Sequence, residues 1–262
     1  QYFAVINAGC KDKDIDWIKK NLPAGVKFEN LSDRALIALQ GPKAEAVLRE
    51  TFRIDASNQP YMWLEAAKLP DGTDIFVSRV GYTGEDGFEL SVPPAKAVDV
   101  WKALSANKAV KPIGLAARDS LRLEMGYCLY GHDIDQDTTP VEAGLSWVIA
   151  KAHKDYIGGK TIVGQLEKGA SRQRVGVRLT DKGIAREGAE IRDAKGKVVG
   201  KITSGSFSPT LKQAVGMGYV DSSVAAIGNK VEVVVRDKPI AAEIAPMPFV
   251  PAKTKAMKKQ AA

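Results

Sequence analysis

Arg79-Val80-Gly81-Tyr82-Thr83-Gly84-Glu85-Asp86-Gly87-Phe88-Glu89 is a loop with three glycines set between two runs of strand character, Asp74 to Val80 and Phe88 to Val92. Asp71-Gly72, just ahead of the first run, has the chemistry of a hairpin turn. Glycines allow a backbone to approach a ligand closely. The loop also carries Tyr82, Glu85 and Asp86, and Glu89 leads the returning strand. These residues fit either a polar hairpin or a ligand loop. Working outward, Ala35 to Gln40 is an apolar strand, and Gly41-Pro42 opens a helix with Pro42 expected at its first position. Asp12 to Lys20 reads as a short helix with Ile15, Trp17 and Ile18 on or near one face. Pro94 to Ser105 spaces Ala97, Val100, Trp101 and Leu104 as an amphipathic helix. Gly114 to Met125 is a further helix, closed by Gly126 just past its end.

Beyond about residue 150 the pattern changes. Short β-rich runs, Arg174 to Leu179, Lys197 to Thr203, Lys230 to Arg236 and Ala241 to Ile244, are separated by Gly/Asp/Ser turns, which predicts a small antiparallel barrel. The expected fold class is therefore α+β, with a boundary near Gly158-Gly159 to Ala170. Residues 1–30, 31–160 and 161–262 form the expected units, the second carrying the glycine loop and the third the barrel and a basic tail. Charge divides in the same way. Residues 1–150 hold 17 basic and 21 acidic side chains, net −4; residues 151–262 hold 21 and 10, net +11. An excess of that size attracts anionic partners. The basic residues are scattered among Gly, Val and Asp without interleaved aromatics, which argues against nucleic acid. Lys253, Lys255, Lys258 and Lys259 form a tight run, expected to be a frayed, solvated tail.

At 262 residues, 45% apolar, the chain is long enough for one large core or two to three small ones. No apolar run reaches the length of a membrane span. Cys10 and Cys128 cannot make a disulfide framework and are expected to be small core residues. Gly158-Gly159-Lys160-Thr161 ends like a phosphate-binding loop but has Lys154 where that loop needs glycine. Asp133, Asp135 and Asp137 start like a calcium loop, yet Thr138 and Gly144 stand where it needs Gly and Glu. His132 and His153 are too far apart in sequence to suggest a metal cluster, so no metal is expected. On the helix Gly114 to Met125, Arg118 and Arg122 lie one turn apart on one face. They can hold a carboxylate bidentately, or they can be tied up by Asp119 and other acids nearby. Gly131-His132-Asp133-Ile134-Asp135 and Thr138-Thr139-Pro140-Val141-Glu142 are too acidic for core.

These segments, in this order, resemble the glycine cleavage T-protein (aminomethyltransferase) family. The likeness extends to Leu39-Gln40-Gly41-Pro42, Thr203-Ser204-Gly205, Ser208-Pro209-Thr210-Leu211, Met217-Gly218-Tyr219-Val220 and Met247-Pro248-Phe249-Val250-Pro251, covering essentially the whole chain. The resemblance implies a multi-domain folate-binding fold around a central channel. It implies transfer of the methylene of an aminomethyl group, held on the lipoyl arm of the H-protein, to tetrahydrofolate with release of ammonia. It makes Glu89 a ligand of the pterin ring, Arg118 a folate contact and Tyr82 a residue lining the channel. A carboxylate can accept the donor edge of a pterin, and arginine suits an anionic folate tail. The family's catalytic aspartate is expected before Gln1; none of Asp12, Asp14 or Asp16 matches it, and Gln1 to Ile6, which reads as a strand, matches a later part of the family's first domain. The expected compartment is a bacterial cytoplasm or a mitochondrial matrix. Two relatives of the same fold are alternatives: the folate domain of sarcosine- or dimethylglycine-oxidising flavoenzymes, and a non-catalytic folate binder. Arg172, Arg174, Lys197 and Lys201 are the expected docking residues for an acidic carrier.

Overall fold

A computed structural model describes residues 2–150 and 154–255. Five helices are α1 (Lys11–Lys20), α2 (Ala44–Phe52), α3 (Pro94–Ala106), α4 (Leu115–Glu124) and α5 (Gly159–Lys168). Strands β1 (Ala35–Gln40), β2 (Leu64–Lys68), β3 (Asp74–Ser78) and β4 (Gly87–Val92) form an antiparallel sheet in the order β1-β4-β3-β2. The remaining strands are β5 (Arg172–Leu179), β6 (Glu190–Arg192), β7 (Val198–Ser208), β8 (Gln213–Asp221), β9 (Lys230–Val235) and β10 (Lys238–Ala245). They close into a barrel in the order β10-β5-β8-β7-β6-β9.

The alternation of β4 explains how the sheet is used. Phe88, Leu90 and Val92 point into a core with Val47 and Leu48 of α2 and Val100 and Leu104 of α3. Glu89 therefore faces the other way, and its cross-strand neighbours are Ala38 and Ser78, both small. Trp101, expected to join the buried face of α3, is 49% exposed because it sits one position off the 97–100–104 stripe. One buried cation ties the end of β3 to its surroundings. Arg79 donates to Asp86 at 3.0 Å, Glu45 at 2.7 Å and the carbonyls of Ala56 and Gln59.

Several expectations are corrected. Residues 2–7 form no strand. The helix after Gly41-Pro42 begins only at Ala44; Pro42 lies in the preceding turn. Helix α1 buries none of its residues. Strands β2, β6 and β8 have no counterpart in the sequence reading. Within β8, a Cβ on Gly218 would overlap the Lys201 carbonyl, so glycine is present because two strands cross closely. Lys253 and Lys255 do not fray: Lys253 pairs with Glu85 at 2.7 Å and its N–H meets the Gly84 carbonyl, while Lys255 reaches Glu45 and the Ser57 carbonyl. Lys258, Lys259 and His153 lie outside the described residues. Cys10 and Cys128 are partly buried rather than core.

Helix α4 joins the sheet region to the barrel. Leu123 packs with Val215, Met217, Ala245 and Phe249. Beside that apolar contact, Arg122 is buried against Asp133 at 2.8 Å and donates to Ser204 at 3.0 Å. Asp133, 1% exposed, also accepts from Thr203, Ser204 and the Leu129 N–H. Glu124 is buried too, and accepts from Ser208 and from both the N–H and hydroxyl of Thr210. Removing one partner of a buried, hydrogen-bonded ion pair strands the other charge. Arg122→Met should therefore destabilise the protein by about 3–5 kcal/mol. Urea unfolding followed by circular dichroism measures this, and a loss below about 1 kcal/mol would mean that Asp133 is satisfied without Arg122.

Candidate functional site

The loop between β3 and β4 is braced from several sides. Gln40 donates to the carbonyls of Val80 and Phe88 and accepts from the Thr83 hydroxyl at 2.9 Å. Gly84 adopts φ +75°, and a Cβ there would collide with Met125, so the loop is clamped against the end of α4. Asp86 is held by Arg79 and Glu85 by Lys253. Two of the three acids around this loop are thus structural.

Glu89 is the exception. Among the described residues nothing hydrogen-bonds to its half-buried carboxylate. Burial pushes its pKa up from the ordinary 4.5, and the nearby charge of Arg118 pulls it partly back. Arg118 is exposed and lays its guanidinium over the Tyr82 ring, 4.6 Å from the centroid. Tyr82 stacks on Tyr127 at 5.6 Å and donates to the Cys128 carbonyl. Burial raises the Tyr82 hydroxyl to about 12. Tyr61 is raised to about 12 as well, first by burial and then by Tyr127, with Glu89 among its neighbours.

The structure therefore brings Glu89, Arg118 and Tyr82 together, from β4, α4 and the loop between β3 and β4. It adds Tyr61 and Tyr127, which the sequence reading did not single out; Tyr127 directly follows Gly126, the residue that turns the chain back after α4. The result is an aromatic wall with one acceptor and one planar cation, neither used up internally. It can take a flat heterocycle whose donor edge meets Glu89 and whose anionic substituent meets Arg118. Arg122 is the tied-up member of the arginine pair. No cluster of three or more His, Cys, Asp or Glu suited to a metal occurs among the described residues, and none of the described helices is long and apolar enough to cross a membrane.

The proposed docking residues do not form one patch. Arg174 is 8% exposed and donates to the carbonyls of Ala143 and Gly126, which removes it from any surface. Arg172 is paired with Glu142 at 3.1 Å and lies over the Tyr219 ring. Lys197 and Lys201 are exposed.

The fold is a four-stranded sheet with helices joined to a closed barrel, and an unpaired acceptor, an exposed arginine and stacked tyrosines meet beside the sheet. The comparisons specify the family. Residues 1–153 match the family model for the GCVT N-terminal domain, and residues 172–251 match that for the glycine cleavage T-protein C-terminal barrel domain. The chain is 41% identical over 254 residues to the aminomethyltransferase of Halothermothrix orenii, covering 95% of this chain and 71% of that protein. It is 43% identical over 264 residues to the mitochondrial aminomethyltransferase of Flaveria anomala, spanning 64% of that protein's length. A crystal structure of the glycine cleavage system aminomethyltransferase T of Bartonella henselae superposes with a TM-score of 0.85 at 37% identity, over 96% of this chain and 69% of that one. The chain belongs to the glycine cleavage T-protein family. The flavoenzyme folate domain and the non-catalytic folate binder are not favoured by these likenesses.

A carboxylate whose folded pKa is raised prefers its neutral form in the native state. Ionised Glu89 therefore costs stability above its raised folded pKa, and that cost disappears as pH falls below the ordinary value near 4.5. Glu89→Gln should melt at a higher temperature than the parent at pH 7, with the difference shrinking as pH is lowered through the acid range. Melting curves across that range test this; a difference independent of pH would mean that Glu89 is not held in a desolvated position.

Proposed function

We propose that this protein is a tetrahydrofolate-dependent aminomethyltransferase of the glycine cleavage system. It takes the aminomethyl group carried on the lipoyl sulfur of a partner protein. The methylene passes to tetrahydrofolate, giving 5,10-methylenetetrahydrofolate; nitrogen leaves as ammonia and the carrier is left as dihydrolipoyl. The reaction is set in a bacterial cytoplasm or a mitochondrial matrix, the compartments suggested by bacterial and mitochondrial relatives. The observation that carries this reading is Glu89, a half-buried acceptor left without a partner beside an aromatic wall and an exposed arginine.

In this reading Glu89 accepts two parallel hydrogen bonds from the donor edge of the pterin. Tyr82 lines the ring's path, and Arg118 meets the carboxylates of the folate tail. The units 1–30, 31–160 and 161–262 would then supply one flank of the folate channel, its main wall, and the barrel beside it. The catalytic aspartate implied by the family pattern is not among Asp12, Asp14 or Asp16. Arg122 and Asp133 act only by fixing the helix that carries Arg118.

Loss of a charge-assisted bidentate contact removes about 2–3 kcal/mol, so Glu89→Ala should weaken tetrahydrofolate binding roughly 30- to 150-fold. Arg118→Lys should also bind poorly, because the planar fork is lost. Calorimetric titration reads both, and unchanged affinity in either variant would remove that residue from the site. For the carrier, Lys197 and Lys201 are the two exposed candidates without an ion pair among the described residues; Arg172 is exposed but held by Glu142. Reversing both, Lys197→Glu with Lys201→Glu, should slow association of the lipoylated carrier and flatten its salt dependence, leaving folate affinity unchanged. Stopped-flow mixing at two ionic strengths measures this, and an unaltered rate would place the docking surface elsewhere.

A further inference from the structure

We infer that one end of the barrel is a second binding site, for an organic polyanion with a flat or apolar body. The connection from β5 to β6 and the turns joining β7 to β8 and β9 to β10 meet there around a cavity of about 1050 Å³. Its lining includes none of Glu89, Arg118, Tyr82, Tyr61 and Tyr127. Its size is at the upper end of the roughly 300–1,000 Å³ found for small-molecule sites, and it is concave, as such sites are and protein-docking faces are not.

The floor and the rim differ in chemistry. Leu179, Ala214 and Ile240 bring apolar surface to the floor, and Phe207, 46% exposed, stands at the edge. The rim carries Lys182, Arg186, Lys212, Arg236 and Lys238. None of these five forms an ion pair with a described residue. Four cations elsewhere on the barrel are paired, Arg172 with Glu142, Arg178 and Lys230 with Glu243, and Arg192 with Glu190, whereas Lys197 and Lys201, like the five at this end, are not. Of the two acids at the opening, Glu187 is engaged by His132 at 2.8 Å, and Asp181 accepts from the backbone N–H of Lys182. Five cations against two carboxylates leave the described lining with a net positive charge.

The turns make the arrangement costly to keep. Lys212 has φ +54° and Arg236 φ +52°, left-handed conformations where glycine or asparagine fits more easily than a long side chain. Two cations thus stand at strained positions in the lining of the same cavity, which also holds apolar residues. A ligand with phosphate or carboxylate groups on a flat body satisfies both parts: the rim takes the charges and the floor the body.

The probe is metal-free ATP, titrated into the full chain by calorimetry. Saturable binding that weakens with salt is expected. The triple variant Lys212→Asn, Arg236→Asn, Lys238→Gln should lower affinity by about tenfold or more. Because asparagine tolerates positive φ, this variant should melt no lower than the parent, which separates loss of binding from loss of fold. The control triple Lys102→Gln, Lys108→Gln, Lys111→Gln removes the same charge from the sheet region and should keep affinity within about twofold. The proposal is overturned by no saturable binding, by an equal loss in both triples, by binding that ignores the barrel triple, or by a polyglutamate peptide binding more tightly than ATP, which would make this end a protein-docking face.

Discussion

The buried pair of Arg122 and Asp133 is the constraint from which the rest of the arrangement follows. A guanidinium and a carboxylate removed from water are tolerated only when every donor and acceptor is met. Here the partners come from separate parts of the chain: Asp119 on α4, the Leu129 N–H after it, and Thr203 and Ser204 on β7. Helix α4 consequently has one rotational setting against the barrel. Arg118 lies one turn before Arg122 on the same face. Fixing the second arginine therefore aims the first over Tyr82 and toward Glu89.

Charge satisfaction also separates scaffold from site. Arg79 holds Glu45 and Asp86; Lys253 holds Glu85; Glu124 is closed off by Ser208 and Thr210; Glu142 by Arg172. These acids are fully used in keeping the protein together. Glu89 is not, and burial without a partner is the condition that raises a carboxylate's pKa and leaves it ready to accept hydrogen bonds from something else. With the sign reversed, five cations gathered at the barrel end lack the acidic partners that Arg172 and Arg192 have. The first such place lies beside stacked aromatic rings, and the second rims a cavity with apolar residues in its lining.

The chain segment after the barrel ties these regions together. The Phe249 N–H meets the Glu124 carbonyl, and Lys253 pairs with the glycine loop through both backbone and side chain. One strap thus touches the end of α4 and the loop that carries Tyr82. Its contacts are between residues more than a hundred positions apart, which local spacing does not reveal.

Local sequence pattern determined α1, β1, β3, β4, α3, α4 and the barrel strands β5, β7, β9 and β10, since alternation along a strand and the spacing of apolar residues on a helix are short-range properties. The ordered set of motifs determined the family, and it carried Glu89, Arg118 and Tyr82 to positions that the fold brings side by side. Tertiary structure decided the rest. Strand β8, with glycines at 216 and 218, has weak strand character on its own and exists because it is hydrogen-bonded on both sides, to β5 and to β7. Arg118 and Arg122 are equivalent in sequence; only the position of Asp133 and Ser204 makes one a structural cation and leaves the other free. Arg174 looked like surface charge and is buried, because the Ala143 and Gly126 carbonyls that accept from it belong to a distant part of the chain. Which ionised groups are satisfied depends on partners brought together by folding, and sequence spacing carries no record of them.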